Sequence, residues 1–128
     1  MEQKTICVDT SVFIDYFRNS KKENTLLSKL SKEYTIVITA ITNFEIMVGV
    51  NKATEKFWNE ILKNISVLPF GEKESEIATE LFKQLKKENK IIGIQDIFIA
   101  ASCLSHQLPL ATLNARHFER ISKLKIIK

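Results

Sequence analysis

Short apolar runs alternate with longer amphipathic segments along the whole chain. The apolar runs are rich in β-branched residues and predict strands at 5–8, 34–39, 65–68, 108–112 and 124–127. Between them apolar residues recur at helical spacing, and the longest such stretch predicts a helix from Glu72 to Asn89. This alternation favours a three-layer α/β/α fold, in which helices cover both faces of a mainly parallel sheet of about four or five strands.

The first strand and the helix after it form the most informative part of the pattern. The apolar run 5–8 is followed by Asp9, and Asp9 by Thr10 and Ser11, both suited to capping a helix. A helical stripe of apolar residues then begins at Val12. Asp9 is therefore predicted at the carboxyl end of a buried strand, the edge where open α/β sheets bind ligands. A purely structural turn or cap remains the alternative.

Two further acids follow predicted strands or begin predicted helices. Glu45 is the last residue of a capping box that starts at Thr42, and Asp96 stands at the start of a helix as its N-cap. Each therefore has a structural explanation of its own. However, apolar residues flank Asp9, Glu45 and Asp96, and parallel crossovers would bring all three to one edge of the sheet. Three neighbouring carboxylates repel one another unless a cation such as Mg²⁺ or Mn²⁺ lies between them.

Length and charge change this picture little. A chain of 128 residues with only 3 Gly and 2 Pro predicts a single domain, residues 1–128, without a linker. The formal net charge of +4 is compatible with a polyanionic partner, although many proteins without such a partner are equally basic.

The apolar segments and the cysteines indicate the compartment. No apolar run is long enough to span a bilayer and no signal peptide is evident, so we expect no membrane association. Cys7 and Cys103 stand in apolar surroundings, which predicts reduced core thiols and a cytoplasmic protein. Neither belongs to a Cys/His cluster, so a zinc site is not expected.

Four segments of the chain, in order, resemble the motifs of PIN-domain ribonucleases, and the resemblance is closest to the VapC-type toxins of toxin–antitoxin pairs. The segments are Val-Asp-Thr-Ser-Val-Phe-Ile-Asp-Tyr-Phe-Arg at 8–18, Ile-Thr-Asn-Phe-Glu-Ile-Met-Val-Gly-Val at 41–50, Ile-Gly-Ile-Gln-Asp-Ile-Phe-Ile-Ala-Ala at 92–101 and Leu-Ala-Thr-Leu-Asn-Ala-Arg-His-Phe at 110–118. Their order and spacing fit over essentially the whole chain.

The resemblance implies a PIN-like fold and an endoribonuclease that depends on Mg²⁺ or Mn²⁺. Asp9 and Asp96 match the metal ligands, and Glu45 matches an acid that binds the metal through water or acts as a general base. Thr112 and Asn114 match a polar pair that orients the site. The family also implies an RNA substrate, a cognate antitoxin protein and a homodimer.

The chain departs from the family at His117, where an acid often stands. With one carboxylate fewer, a second tightly held metal is less expected, and the histidine could contact a phosphate or face solvent. Asp15 and Arg18, three residues apart on one predicted helix, are expected to form a surface ion pair.

Two alternative functions remain open on the sequence. The first is a catalytically weak PIN domain that binds RNA or protein without cutting, which the histidine at 117 favours. The second is a phosphohydrolase or receiver-like domain, suggested by an acid after the first strand. A phosphohydrolase would have a second aspartate two residues after Asp9, and Ser11 stands there instead.

Overall fold

Five short strands form one parallel sheet in the computed structural model, which describes residues 3–128. The strands are β1 (Lys4–Val8), β2 (Tyr34–Thr39), β3 (Ser66–Leu68), β4 (Leu110–Ala111) and β5 (Ile126–Ile127). Their order across the sheet is β3-β2-β1-β4-β5, and every neighbouring pair is parallel. The chain thus builds from β1 towards one edge and later returns to the other side of β1. The direction of winding reverses between β1 and β4, and ligands of open α/β sheets bind at such a point.

Seven helices and one short 3-10 turn, Lys22–Asn24, connect the strands within the described part of the chain. The helices are α1 (Thr10–Arg18), α2 (Leu26–Glu33), α3 (Ala40–Val48), α4 (Glu55–Leu62), α5 (Glu72–Lys87), α6 (Ile94–Ser105) and α7 (Ala115–Phe118). None of these helices is both long and apolar enough to cross a membrane.

Both faces of the sheet are covered, as the alternation of strands and helices predicts. Ile6 and Val8 of β1 pack against α1, α2 and α4, whereas Cys7 between them packs against α5 and α6 on the opposite face. Successive residues of a strand point to opposite faces, so one apolar run contributes to two hydrophobic clusters. The predicted fold class, an α/β protein with a parallel sheet between helical layers, is confirmed.

The C-terminal strands are shorter than the sequence predicts. Only two residues each of the predicted strands 108–112 and 124–127 lie in the sheet. Pro109 has no N–H to contribute to the ladder, although its carbonyl accepts a hydrogen bond of 3.0 Å from the amide of Cys7. β4 is thus held mainly by its neighbours, β1 on one side and β5 on the other.

Candidate active site

A cavity of about 510 Å³ opens at the carboxyl ends of β1 and β4, where the sheet reverses its winding. Four of the five residues predicted for the site line this cavity. The fifth, Thr112, is buried behind Asp9. The residues that line the cavity are Asp9, Thr10, Ser11, Ile14, Asp15, Arg18, Glu45, Asp96 and Asn114. The fold thus brings together groups that are far apart in the sequence.

Asp9 is held from below by two hydroxyl groups. Its Oδ2 accepts hydrogen bonds from Thr112 Oγ1 at 2.8 Å and from Ser11 Oγ at 2.9 Å. Asp9 precedes α1, but its side chain makes no capping bond to the helix amides. Asp9 as a whole residue is only 5% exposed, yet it borders the cavity. The alternative of a structural cap is therefore wrong: the two hydroxyls fix one oxygen and leave the carboxylate aimed at the cavity.

Their residue types suggest that Thr10 and Ser11 cap α1. They do not, because α1 already begins at Thr10. Their hydroxyls hold the acids instead. Thr10 Oγ1 donates a hydrogen bond of 2.7 Å to Glu45 Oε1, which joins α1 to α3 beside the cavity. Ser11 Oγ, besides donating to Asp9, accepts a bond of 3.0 Å from the amide of Leu113.

The capping box predicted at Thr42 and Glu45 is wrong. The helix begins two residues earlier, at Ala40, and Thr39 is its N-cap through a bond of 3.1 Å from the amide of Thr42 to its hydroxyl. Glu45 consequently lies in the middle of α3, one and a half turns after its start. Its carboxylate is free to face Thr10 and the cavity, and it has no part in the cap.

Asp96 is not an N-cap either. Helix α6 begins at Ile94, so Asp96 lies in its first turn, where a carboxylate meets the positive end of the helix dipole. His117 Nδ1 lies 3.3 Å from Asp96 Oδ2. Burial raises the pKa of the Asp96 carboxyl; the hydrogen bond with His117 acts in the opposite direction, and the negative charge of Asp9 raises it again. The two aspartates therefore already interact across the cavity.

The histidine at 117 is exposed to solvent, one of the two options that the sequence leaves open, and its ring also contacts an acid of the cavity. Thr112 and Asn114 occupy the loop after β4. Thr112 Oγ1 accepts a bond of 2.9 Å from the amide of Asn114 while it donates to Asp9. Asn114 is exposed and lines the cavity.

Five residues of the cavity wall were missed by sequence reasoning as site residues: Thr10, Ser11, Ile14, Asp15 and Arg18. The predicted ion pair between Asp15 and Arg18 is not formed, since the ion pairs within residues 3–128 join other side chains. The signal that could have found them is the helical period, because Ser11, Asp15 and Arg18 recur on one face of α1, the face below the acids.

The donor set suits a hard cation such as Mg²⁺ or Mn²⁺. Within residues 3–128 no three His, Cys, Asp or Glu side chains lie close enough together to form a ready-made metal cluster. Mg²⁺, however, usually keeps several waters and takes only one or two carboxylates from the protein. Asp9 and Asp96, which interact through their charges, provide two such carboxylates, and Glu45 borders the same cavity.

Comparison with known proteins shows the family of this fold. The sequence profile of the PIN domain matches residues 6–124. Ribonuclease VapC1 of Methanocaldococcus jannaschii is 32% identical over 123 residues, 95% of this chain and 85% of the relative. Ribonuclease VapC3 of the same organism is 39% identical over 73% of this chain and 93% of its own length. The chain therefore belongs to the PIN domain family and, within it, to the VapC-type proteins.

Solved structures agree with this fold. VapBC2 from Rickettsia felis, bound to a DNA fragment from its promoter, matches 96% of this chain and 97% of its own with a TM-score of 0.83 and 24% identity. VapBC-1 from nontypeable Haemophilus influenzae matches 97% of both chains with a TM-score of 0.83 and 23% identity. At these identities the two structures support the fold alone, and the function has to be inferred from the site.

Proposed function

We propose that this protein is a metal-dependent endoribonuclease that hydrolyses RNA phosphodiester bonds and acts as the toxin of a toxin–antitoxin module. The observation that carries the proposal is the cavity itself. Asp9, Glu45 and Asp96 come from three separate segments and border one cavity at the point where parallel α/β sheets bind ligands. The names of the VapC ribonucleases that the chain resembles over most of its length support the reaction class.

The residues present would hold a Mg²⁺ or Mn²⁺ ion through Asp9 and Asp96, with Glu45 directly or through water. When bound, the cation would lower the pKa of water and offset the negative charge of the phosphate oxygens. Glu45 would accept the proton of the attacking water, and its hydrogen bond from Thr10 supports this role. Thr112 keeps Asp9 in position, and Asn114 can donate its amide to the substrate.

Cleavage of total cellular RNA by the purified protein tests the proposal. Reactions would contain Mg²⁺, Mn²⁺ or EDTA, with Asp9→Asn and Asp96→Asn beside the original protein. Glu76→Gln is the matched control, because it removes one exposed negative charge of α5 outside the cavity. We expect discrete cuts that need the metal, that persist in the control and that both aspartate variants lose. Cuts that survive EDTA or both substitutions would contradict the proposal.

The second candidate function is a PIN domain that binds RNA or protein without cutting. The contact of 3.3 Å between His117 and Asp96 favours it, because the imidazole ring lies against Oδ2 and would compete with a cation for that oxygen. A folded protein that binds Mn²⁺ and RNA but does not cut would support this alternative. His117→Asp would then be expected to create or increase cleavage.

Partners and compartment complete the proposal. We propose an antitoxin partner, because structural neighbours include a toxin–antitoxin complex and a member of the VapBC family of toxin–antitoxin systems. A homodimer is supported by the exposed apolar side chains of α3, Phe44, Met47 and Val48.

The buried free thiols of Cys7 and Cys103 support a reducing compartment such as the cytoplasm. We further propose that residues 1–128 are one domain, since β1 near the beginning and β4 near the end are adjacent strands.

Sedimentation of the purified protein tests the homodimer. A dimer that Phe44→Ser or Val48→Ser converts to monomer, while Val67→Ser on β3 does not, would support the α3 face. Val67 is the control because it is an exposed apolar residue of a different element.

A further inference from the structure

Helix α1 forms one wall of the cavity along most of its length. Ser11, Ile14, Asp15 and Arg18 line the cavity and recur with the spacing of a single helix face. Seven residues separate the first from the last, so they lie about 10 Å apart along the helix axis at 1.5 Å per residue. The wall therefore leads from the hydroxyl that holds Asp9 outward to the guanidinium of Arg18.

Arg18 is not needed for the ordinary task of a basic residue in the last turn of a helix, which is to meet the free carbonyl groups. Lys22 does this instead. Its ammonium group donates to the carbonyls of Tyr16 at 2.7 Å, Phe17 at 3.0 Å and Asn19 at 3.0 Å. Arg18 is also absent from the ion pairs found within residues 3–128. Its exposed guanidinium is thus available to a ligand.

The charges around the cavity indicate which ligand the guanidinium of Arg18 would bind. Four carboxylates line the cavity, those of Asp9, Asp15, Glu45 and Asp96, and Arg18 is the basic residue among the lining residues. A cation at the aspartates would offset the charge of one phosphate. An RNA strand brings further phosphates within about 8 Å, the screening length at physiological salt, and the acids would repel them. A guanidinium binds phosphate oxygens in a two-point contact and offsets that repulsion.

We propose that Arg18 binds the backbone phosphate of single-stranded RNA that neighbours the reacting one. It sets the affinity for the substrate and leaves the chemical step to the acids. This inference rests on the proposed function, because it names a residue that holds the substrate of the same cavity.

Arg18→Ala, Arg18→Lys and the control Lys29→Ala test the role. Lys29 is an exposed lysine of α2, outside the cavity, so its removal changes the net charge equally. Affinity for a labelled single-stranded RNA would be measured in EDTA over a series of salt concentrations, and kcat and KM with Mn²⁺. For Arg18→Ala we expect about tenfold weaker binding and a salt slope of log affinity smaller by about 0.7, the value for one lost phosphate contact on a single strand.

KM should rise by a similar factor while kcat changes little. Arg18→Lys should keep the salt slope and recover part of the affinity, because it retains the charge without the two-point geometry. Lys29→Ala should match the original protein. Equal effects of Arg18→Ala and Lys29→Ala, or a loss of kcat without a change in KM, would overturn the inference. A loss of Mn²⁺ binding in Arg18→Ala would also overturn it, since Arg18 would then maintain the acids.

The two proposals fail in different ways. A protein that binds RNA with the expected Arg18 dependence but does not cut it contradicts the nuclease and keeps the inference. A protein that cuts RNA in an Asp9-dependent manner with unchanged KM in Arg18→Ala contradicts the inference alone. A protein that neither binds nor cuts RNA contradicts both.

Discussion

The Oδ2 atom of Asp9 shows how single side chains prepare the cavity. Its two hydroxyl donors come from opposite ends of the chain: Ser11 is two residues from Asp9 in the sequence, and Thr112 is 103 residues from it. Thr112 is fully buried, and its hydroxyl also accepts from the amide of Asn114. One hydroxyl therefore links the end of β1 to the loop after β4, and its loss would affect both.

Thr112→Val keeps the shape of the side chain and removes the hydroxyl. We expect the free energy of unfolding to fall by about 1–3 kcal/mol, because the backbone amide of Asn114 and one oxygen of the buried Asp9 lose a partner. Chemical denaturation measures this change. Thr35→Val, at an exposed threonine of β2, is the control and should change stability by less than about 0.5 kcal/mol. Equal stability of Thr112→Val and the original protein would contradict the role of the hydroxyl.

Asp96→Asn tests the electrostatic cost of the cavity. Burial raises the pKa of this carboxyl above its usual 3.8, so its charge destabilises the metal-free fold at neutral pH. We expect the variant to have the higher melting temperature there, with a gain of roughly 0.5–1 kcal/mol, the usual size for such a relief.

The pH dependence gives the sign of the effect. The cost of the Asp96 charge is present above its raised pKa in the folded state and disappears as the pH falls towards 3.8, so the advantage of Asp96→Asn should shrink. Mn²⁺ should stabilise the original protein and not the variant, because only a metal that binds the folded state raises the melting temperature. Greater stability of the original protein without metal at neutral pH would contradict this account.

At the scale of elements, the sequence predicts some boundaries and not others. Strand β2 has the predicted bounds, because the polar Lys32 and Glu33 precede its run of β-branched residues and Thr39 ends it as the N-cap of α3. The start of α3 was misplaced because Thr39 and Thr42 are both suitable caps, and only the fold shows which hydroxyl meets an amide. For the same reason the pattern could not show that Thr10 turns towards Glu45, a residue 35 positions away.

The end of α6 offers a test of an element boundary. Gln107 follows the helix with a φ of 55°, a left-handed conformation that costs about 1 kcal/mol in residues other than glycine. The amide of Leu108 closes the helix by donating to the carbonyl of Cys103 at 2.9 Å. Gln107→Gly should therefore raise the free energy of unfolding by up to about 1 kcal/mol. Gln84→Gly, inside α5, should lower it by about 1 kcal/mol in the same denaturation experiment.

At the scale of the whole molecule, the alternation of elements was sufficient to predict the class of fold, because a parallel sheet needs a crossover between successive strands. It could not predict the strand order. That order depends on the pairing of β1 with β4, a contact between residues about 100 positions apart that leaves no local pattern. The fold class was sufficient to predict that Asp9, Glu45 and Asp96 meet at one edge of the sheet. It was not sufficient to predict that α1 forms a wall of the cavity.

The C-terminal edge of the sheet can be tested by shortening the chain. β5 binds β4 through the carbonyls of Lys125 and Ile127, which accept from Leu110 at 2.9 Å and Thr112 at 3.1 Å. A chain that ends after residue 125 should lose protection from hydrogen exchange in β4 and at Asp9, because the backbone of Thr112 loses its partner. A chain that lacks only Lys128 loses an exposed ion pair to Glu119 and should keep the protection. Equal protection in the two shortened chains would show that β4 stands without β5.

The central position of β1 has a consequence for the order of synthesis. Of the five strands, β1 leaves the ribosome first. Its neighbour β4, and β5 beyond β4, are synthesised last, within residues 110–127. A nascent chain that already contains Asp9, Glu45 and Asp96 still has β1 with one unpaired edge and lacks the hydroxyl of Thr112. Ribosome-bound and prematurely ended chains would therefore carry the acids without the arrangement that aims them. Their open strand edge would mark them for aggregation or proteolysis.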